Sequence, residues 1–232
     1  MKIAGVLGGM GPVATIDLLN KIVRYTDAKK DSDHVHTLVD SYTDIPDRTA
    51  YILGKGENPE KHLVDSALKL EAMGASFIVM PCNTAHYFYE KVCRAVKIPF
   101  INMIDEVAKE LDGVKKVGLL ATKGTYKGHI YETIFDRYGI EVEVPPIDLQ
   151  EIVTELIYKV KEGQDNIDQV SIGQVLDYFS NLGIDKIILG CTELPVAFER
   201  LKIEGEFLDP TKTLALSTIR LMGKKLKDVK LR

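Results

Sequence analysis

The sequence predicts an α/β fold of two pseudo-symmetric lobes, each a mainly parallel sheet with helices on both faces, and a functional cleft between the lobes. Three observations predict it. Short Ile- and Val-rich runs alternate with helix-forming segments along the whole chain, the order that gives parallel strands joined by covering helices. The order restarts midway, with Ile3 aligning with Val117 at an offset of 114. An apolar run that ends in a cysteine and then polar residues also occurs twice, as Phe77-Ile78-Val79-Met80-Pro81-Cys82-Asn83-Thr84 and as Lys186-Ile187-Ile188-Leu189-Gly190-Cys191-Thr192-Glu193. The two cysteines are 109 residues apart. Each run has the length and β-branched content of a buried parallel strand that delivers its cysteine to the strand's carboxyl end.

In the first half the pattern reads strand over 3–7, helix over 12–26, strand over 36–41, helix over 59–73, strand over 77–80, helix over 85–96 and strand over 100–104. Pro12 suits a first helical position, and Ile16, Leu19 and Val23 recur at spacings that share one helix face. Leu63, Ala67 and Leu70 form the apolar stripe of the next helix, which Gly74 closes. The second half reads strand over 117–121, helix over 126–138, strand over 141–144 and helix over 148–161 closed by Gly163. A helix over 167–182 closed by Gly183 then precedes the strand into Cys191. The polar stretch from Leu111 to Lys116, with Gly113, separates a first lobe over 1–111 from a second over 112–210. A last helix over 211–232, through Leu214, Ile219 and Leu226, is placed to cross back onto the first lobe, a crossing the sequence leaves open.

With 232 residues, 45% of them apolar, the chain can build a core in two lobes of about 110 residues or in one larger domain. No apolar run reaches membrane-spanning length and Met1-Lys2 leads into a strand without a signal-peptide pattern, so a soluble cytoplasmic protein is expected. A net charge of −4 gives no nucleic-acid surface, and Lys224-Lys225-Leu226-Lys227 reads as a solvated helix end. Three cysteines make no disulfide framework, and Cys82 and Cys191 are expected to be reduced.

Ligands of open α/β sheets bind beyond the carboxyl ends of the strands. The loops expected there carry Gly8-Gly9-Met10-Gly11, Asp44 to Thr49, Cys82-Asn83-Thr84, Ala121 to Thr125 and Cys191-Thr192-Glu193. A cysteine that opens a helix sits at the positive end of the helix dipole, which favours thiolate. A buried free cysteine is otherwise an inert small hydrophobe. That reading suits Cys93, inside a helix without a partner motif, but not a pair whose polar flanks recur. Two thiols on two similar half-domains suit a reaction that takes a proton from one face of a carbon and returns one to the other. Asn83, Thr84 and Thr192 supply donors for a carboxylate that holds extra charge in such a transition state, and as helix caps they have a second use. His86, one helical turn after Cys82, either holds the thiolate or packs as a core histidine. Arg48 and Lys161 are cations able to pair with a carboxylate, though each singly is more often a solvated surface charge.

Gly9-x-Gly11-x-x-Ala14 after the first strand, with Asp40 near the end of the second, is a loose dinucleotide fingerprint, which Pro12 interrupts. With no CxxC, HExxH or clustered histidines, no metal site is expected.

The strings Gly8-Gly9-Met10-Gly11-Pro12, Pro46-Asp47-Arg48-Thr49, Pro81-Cys82-Asn83-Thr84-Ala85-His86 and Gly190-Cys191-Thr192-Glu193-Leu194-Pro195 resemble the aspartate/glutamate racemase family, most of all its aspartate racemases. The resemblance covers nearly the whole chain. It implies a cofactor-independent amino-acid racemase, usually a homodimer, with Cys82 and Cys191 as the two catalytic acid/bases. It further implies that Cys191 serves the L face and Cys82 the D face, that Asn83 and Thr84 bind the substrate carboxylate, and that Arg48 and Lys161 recognise a dicarboxylic amino acid. Lys161 is matched only through Lys161-Glu162-Gly163, a looser string. Met10, Thr49, Ala85, Thr122 and Thr192 complete the expected substrate-binding set. L- and D-aspartate are the expected substrates, with glutamate or a broader range as the alternative. Rival readings are a non-catalytic two-lobed amino-acid clamp, which needs no paired cysteines, and a nicotinamide-dependent oxidoreductase.

Overall fold

The computed structural model describes residues 2–164 and 168–227. The first lobe holds β1 (Ala4–Gly8), α1 (Pro12–Tyr25), β2 (Thr37–Ser41), α2 (Arg48–Ile52), α3 (Glu60–Ala72), β3 (Phe77–Val79), α4 (Tyr89–Ala95) and α5 (Met103–Lys109). The second holds β4 (Lys116–Ala121), α6 (Lys123–Lys127), α7 (Ile130–Phe135), β5 (Glu141–Glu143), α8 (Ile147–Lys161), α9 (Gln169–Asn181), β6 (Lys186–Gly190), α10 (Glu193–Arg200) and β7 (Glu206–Leu208), and α11 (Pro210–Leu221) follows. Both sheets are parallel, in the orders β2-β1-β3 and β5-β4-β6-β7. β1, β2 and β3 thus correspond to β4, β5 and β6, and the two cysteine strands hold equivalent places.

Three apolar clusters hold the layers together, and the two-residue period of the strands explains them. Ala4, Val6, Phe77 and Val79 of the first sheet face the same central core as Val117, Leu119 and Ala121 of the second, and α1, α5, α7 and α11 fill the space between. Leu7, Ile78 and Met80 point the other way, under α3 and α4. Leu120, Ile187 and Leu189 lie likewise under α8, α9 and α10. The lobes therefore share one core. Helix α11 packs on α1 and α5 of the first lobe. Lys21 of α1 bridges Asp17 at 2.5 Å and Asp209, the cap of α11, at 2.5 Å, fixing that crossing at its entrance.

Several sequence expectations change. The expected strand over 100–104 is a single bridge between Ile78 and Phe100, beside β3 where β7 lies beside β6. Asn102 then takes the N–H groups of Ile104 and Asp105 and starts α5, whose Met103, Ile104, Val107 and Ala108 are buried at helical spacing. The helix expected over 85–96 begins as a 3-10 turn, Thr84–Phe88. The one expected over 126–138 is cut into α6 and α7 at Gly128 and His129, the latter at φ 47°, with a 3-10 turn after Phe135. On α1 the buried stripe is Ala14, Thr15, Leu18 and Ile22, whereas Ile16 and Val23 are more than half exposed. Small residues at 14 and 15 let α1 approach the glycine loop closely, a fit the bulkier stripe would not allow. The last helix stops at Leu221, and Leu226 lies in an antiparallel bridge with Thr26. The expected starts of α9 at Ile167 and ends of the last helix over 228–232 lie outside the described residues. Among the described residues no helix is long and apolar enough to cross a membrane.

Candidate active site

The carboxyl ends of β1, β2, β3, β4 and β6 open on one cavity of about 30 Å3 between the lobes. Cys191 directly follows β6, and Cys82 follows β3 across a tight turn in which its N–H donates to the Met80 carbonyl at 2.9 Å. Both thiols line the cavity, and each residue is only 7% exposed. Met10, Asn83, Thr84, Thr122 and Thr192 line it with them. Arg48, Thr49 and Lys161 supply the remaining expected positions. Ala85 does not: it is wholly buried beneath the 3-10 turn, packed with Phe88 and Val92 rather than facing the cavity.

Two cations face this space. Arg48 is held by its own loop, donating from one terminal nitrogen to the carbonyls of Ile45 and Pro46, each at 3.1 Å. Its Nε is buried with no partner among the described residues, which leaves a donor for an incoming acceptor. Asp47 accepts from the Ala50 N–H at 2.6 Å to start α2, the short helix that presents Arg48 and Thr49. Lys161, at the end of α8, reaches in from the second lobe. Burial works against its charge, but Cys191, Glu193, Cys82 and Asp47 around it hold its ammonium protonated beyond the ordinary lysine range.

The thiol environments differ. Cys191 Sγ donates to Glu193 Oε2 at 2.8 Å, and Thr192 Oγ1 donates to the same oxygen at 3.0 Å. Burial, followed by the Glu193 carboxylate, pushes the Cys191 thiol well above the usual cysteine range, while Lys161 pulls the other way. The expected thiolate-favouring helix dipole is thus outweighed at Cys191, because desolvation penalises the charged form more strongly. Cys82 makes no side-chain hydrogen bond among the described residues, and its setting is fixed through the backbone. His86 Nδ1 lies 2.8 Å from the Cys82 carbonyl and its Nε2 accepts the Met103 N–H at 3.1 Å, so the ring is the Nδ1–H tautomer. Burial lowers its pKa to about 4, and it is a neutral tether between the Cys82 loop and α5. His86 does not reach the thiolate.

Hydroxyl groups join the lobes next to Cys82. Thr84 Oγ1 lies 3.0 Å from Thr122 Oγ1 and 3.1 Å from Thr125 Oγ1, and the last two are 3.1 Å apart. Asn83 Oδ1 accepts from the Tyr131 hydroxyl at 2.6 Å. No motif singles out Tyr131, which approaches Asn83 from the opposite lobe. Asp47 and Glu193, carried by two of the loops expected at the cleft but not part of the expected substrate-binding set, also line the cavity.

The glycine loop is accounted for by packing. Gly9 has φ +90° and a Cβ there would meet the Tyr42 backbone at 2.4 Å, while its N–H donates to Thr15 Oγ1 at 2.9 Å. The donor that a dinucleotide phosphate would use is taken. A larger groove of about 500 Å3 lies on the far side of His86, along α5 and α7, but neither cysteine lines it.

The Asp/Glu/hydantoin racemase family model matches residues 7–218. The chain is 30% identical to a broad specificity amino-acid racemase of Bacillus subtilis over 225 residues, 93% of this chain and 96% of that one. Among solved structures, the aspartate racemase of Picrophilus torridus superposes with a TM-score of 0.86 at 34% identity, covering 98% of this chain and 96% of that one. A glutamate racemase of Francisella tularensis in complex with D-glutamate, at 22% identity, shares the fold with a TM-score of 0.69 over 96% of this chain and 81% of its own.

Proposed function

The chain belongs to the Asp/Glu/hydantoin racemase family and is an amino-acid racemase, and on that premise we propose that it interconverts L- and D-aspartate by proton transfer between Cys82 and Cys191. The observation that carries this reading is the placement of both thiols on one small cavity with the Arg48 Nε donor, which has no partner among the described residues. One cysteine, as thiolate, takes the Cα proton, and the electron pair moves into the α-carboxylate as an enediolate. The other, as thiol, returns a proton to the opposite face. Cys191 serves the L face and Cys82 the D face. Glu193, hydrogen-bonded to the Cys191 thiol, is placed to take its proton before abstraction.

An amino-acid Cα–H is a very weak acid, so the charge gathering on the α-carboxylate needs fixed donors, which Asn83 and Thr84 supply, while the Thr192 hydroxyl, expected to join them, is spent on Glu193. Arg48 and Lys161 bind the side-chain carboxylate, which supports a dicarboxylic substrate. The similarity to an aspartate racemase supports aspartate; the similarity to a broad-specificity racemase supports a wider range as the second reading. The same reading takes the enzyme as a cytoplasmic homodimer working without metal or pyridoxal phosphate, supported by its composition and family resemblance. Purified protein incubated with single enantiomers of a panel of amino acids in deuterated water, followed by chiral chromatography and mass spectrometry, tests it. Aspartate should invert fastest, with solvent deuterium at Cα of the product. Inversion of alanine at the rate of aspartate would remove the role given to Arg48, and a ligand bound but never inverted would favour a clamp.

A further inference from the structure

Tyr131 lies outside the cavity wall, wholly buried, with its ring packed edge-on to Phe135 at 5.5 Å. Its hydroxyl is 2.6 Å from Asn83 Oδ1. An amide side chain has two ends of opposite polarity that fit one space equally well, and only its partners decide which end points where. A phenol buried this deeply stays protonated, and directed at Oδ1 it donates. Asn83 lines the cavity, and its Nδ2, the end of the amide that Tyr131 does not engage, has no hydrogen-bond partner among the described residues. Resting on the substrate-carboxylate role given to Asn83 above, we infer that Tyr131 is a positioning residue: from the second lobe it locks the Asn83 amide with its N–H donors toward the substrate α-carboxylate. Asn83 belongs to the first lobe and Tyr131 to the second, so the donor is aimed only when the lobes are docked. Without the hydroxyl the amide can turn, and its oxygen would then oppose the carboxylate.

The experiment is a double-mutant cycle of Tyr131→Phe with Asn83→Ala, read as kcat and KM for aspartate racemisation by chiral chromatography, beside thermal unfolding of each variant. Phe keeps the ring and its packing. Tyr131→Phe should lower kcat/KM about tenfold, the size of a lost hydrogen bond to a charged group, with most of the change in kcat. Asn83→Ala should cost at least as much, and the double variant no more than Asn83→Ala alone. A loss that adds in full on the Asn83→Ala background overturns the inference, as does a Tyr131→Phe variant of lowered melting temperature and unchanged kcat/KM, which would make Tyr131 a strut only. Should Tyr131→Phe not fold, the double variant, which leaves no orphaned amide, is compared with Asn83→Ala: equal kinetics support the inference and slower kinetics overturn it. A wild type inert toward aspartate overturns the substrate reading and this inference together, whereas an active wild type with an unaffected Tyr131→Phe overturns this one alone.

Discussion

The two ends of the cavity are made from the same motif at equivalent strands, yet they are built differently. At the Cys82 end the fixing is neutral: His86 tethers the backbone, three threonine hydroxyls cross between the lobes, and Tyr131 holds Asn83. At the Cys191 end it is ionic: Glu193 takes the thiol's hydrogen bond, and Lys161 faces both. The two-base reaction proposed above therefore does not require symmetric surroundings. One thiol is held by geometry and the other is set by charge, a difference that supports the opposite starting protonation states this proposal needs.

Removing either thiol is the most severe way to break the comparison. Cys82→Ala and Cys191→Ala should each abolish racemisation, a loss of about 10²–10⁴-fold or more for a lost acid/base. Each variant should still exchange the α-proton of one enantiomer with deuterated water without inverting it, and the two should prefer opposite enantiomers. If either variant, prepared free of wild type, racemises in both directions at the wild-type rate, the missing cysteine is a packed strand-end residue and the two ends are not a pair.

The neutral end has its own signature, in stability. The unfolded histidine titrates near 6.5 and the folded His86 near 4. Between those values the unfolded chain binds a proton that the folded chain refuses, so the stability tied to neutral His86 is whole above pH 6.5 and drains as pH falls toward 4. The shift sets a ceiling of roughly 3 kcal/mol on that loss. Urea unfolding at steps from pH 7 to pH 4 measures it, and His86→Gln, which keeps a donor and an acceptor, should flatten the dependence. An equally steep decline in His86→Gln would place the acid-labile group elsewhere.

Specificity stands across both ends. Arg48→Ala should raise KM for aspartate by about ten- to a hundred-fold, since a desolvated charge-assisted pair contributes about 1.5–3 kcal/mol. Unchanged aspartate kinetics in Arg48→Ala would leave Lys161 alone to hold the side-chain carboxylate.

The parts of the molecule written in local sequence were legible, and the parts made by distant contacts were not. Strand runs such as 117–121 and the strand into Cys191 declare themselves by composition, and Gly74, Gly163 and Gly183 close their helices at φ +95°, +71° and +69°. The strand expected over 100–104 failed because Asn102 caps a helix there, a choice between two local structures that apolar content cannot make. Which face of α1 is most deeply buried was not legible for another reason: two aliphatic stripes compete, and the closeness of the glycine loop selects the one with small residues. Cys82, Cys191, Arg48 and Lys161 could be singled out by type and motif. Tyr131 could not, because its meaning lies in an amide 48 residues away in the other lobe.

The smallest expected effect bears on the charged end alone. Burial is the first reason the Cys191 thiol resists ionisation and the Glu193 carboxylate the second, so removing the carboxylate's charge should lower its pKa without restoring an ordinary cysteine. Glu193→Gln keeps the side chain's shape and an oxygen to accept the thiol's hydrogen bond, which separates charge from packing. Alkylation by iodoacetamide at a series of pH values, followed by mass spectrometry of the Cys191 peptide, gives the titration directly. In Glu193→Gln the Cys191 profile should move to lower pH. No movement at Cys191 would leave burial as the sole cause, and Glu193 would then be a first-turn carboxylate of α10 rather than the group that sets the protonation of its thiol.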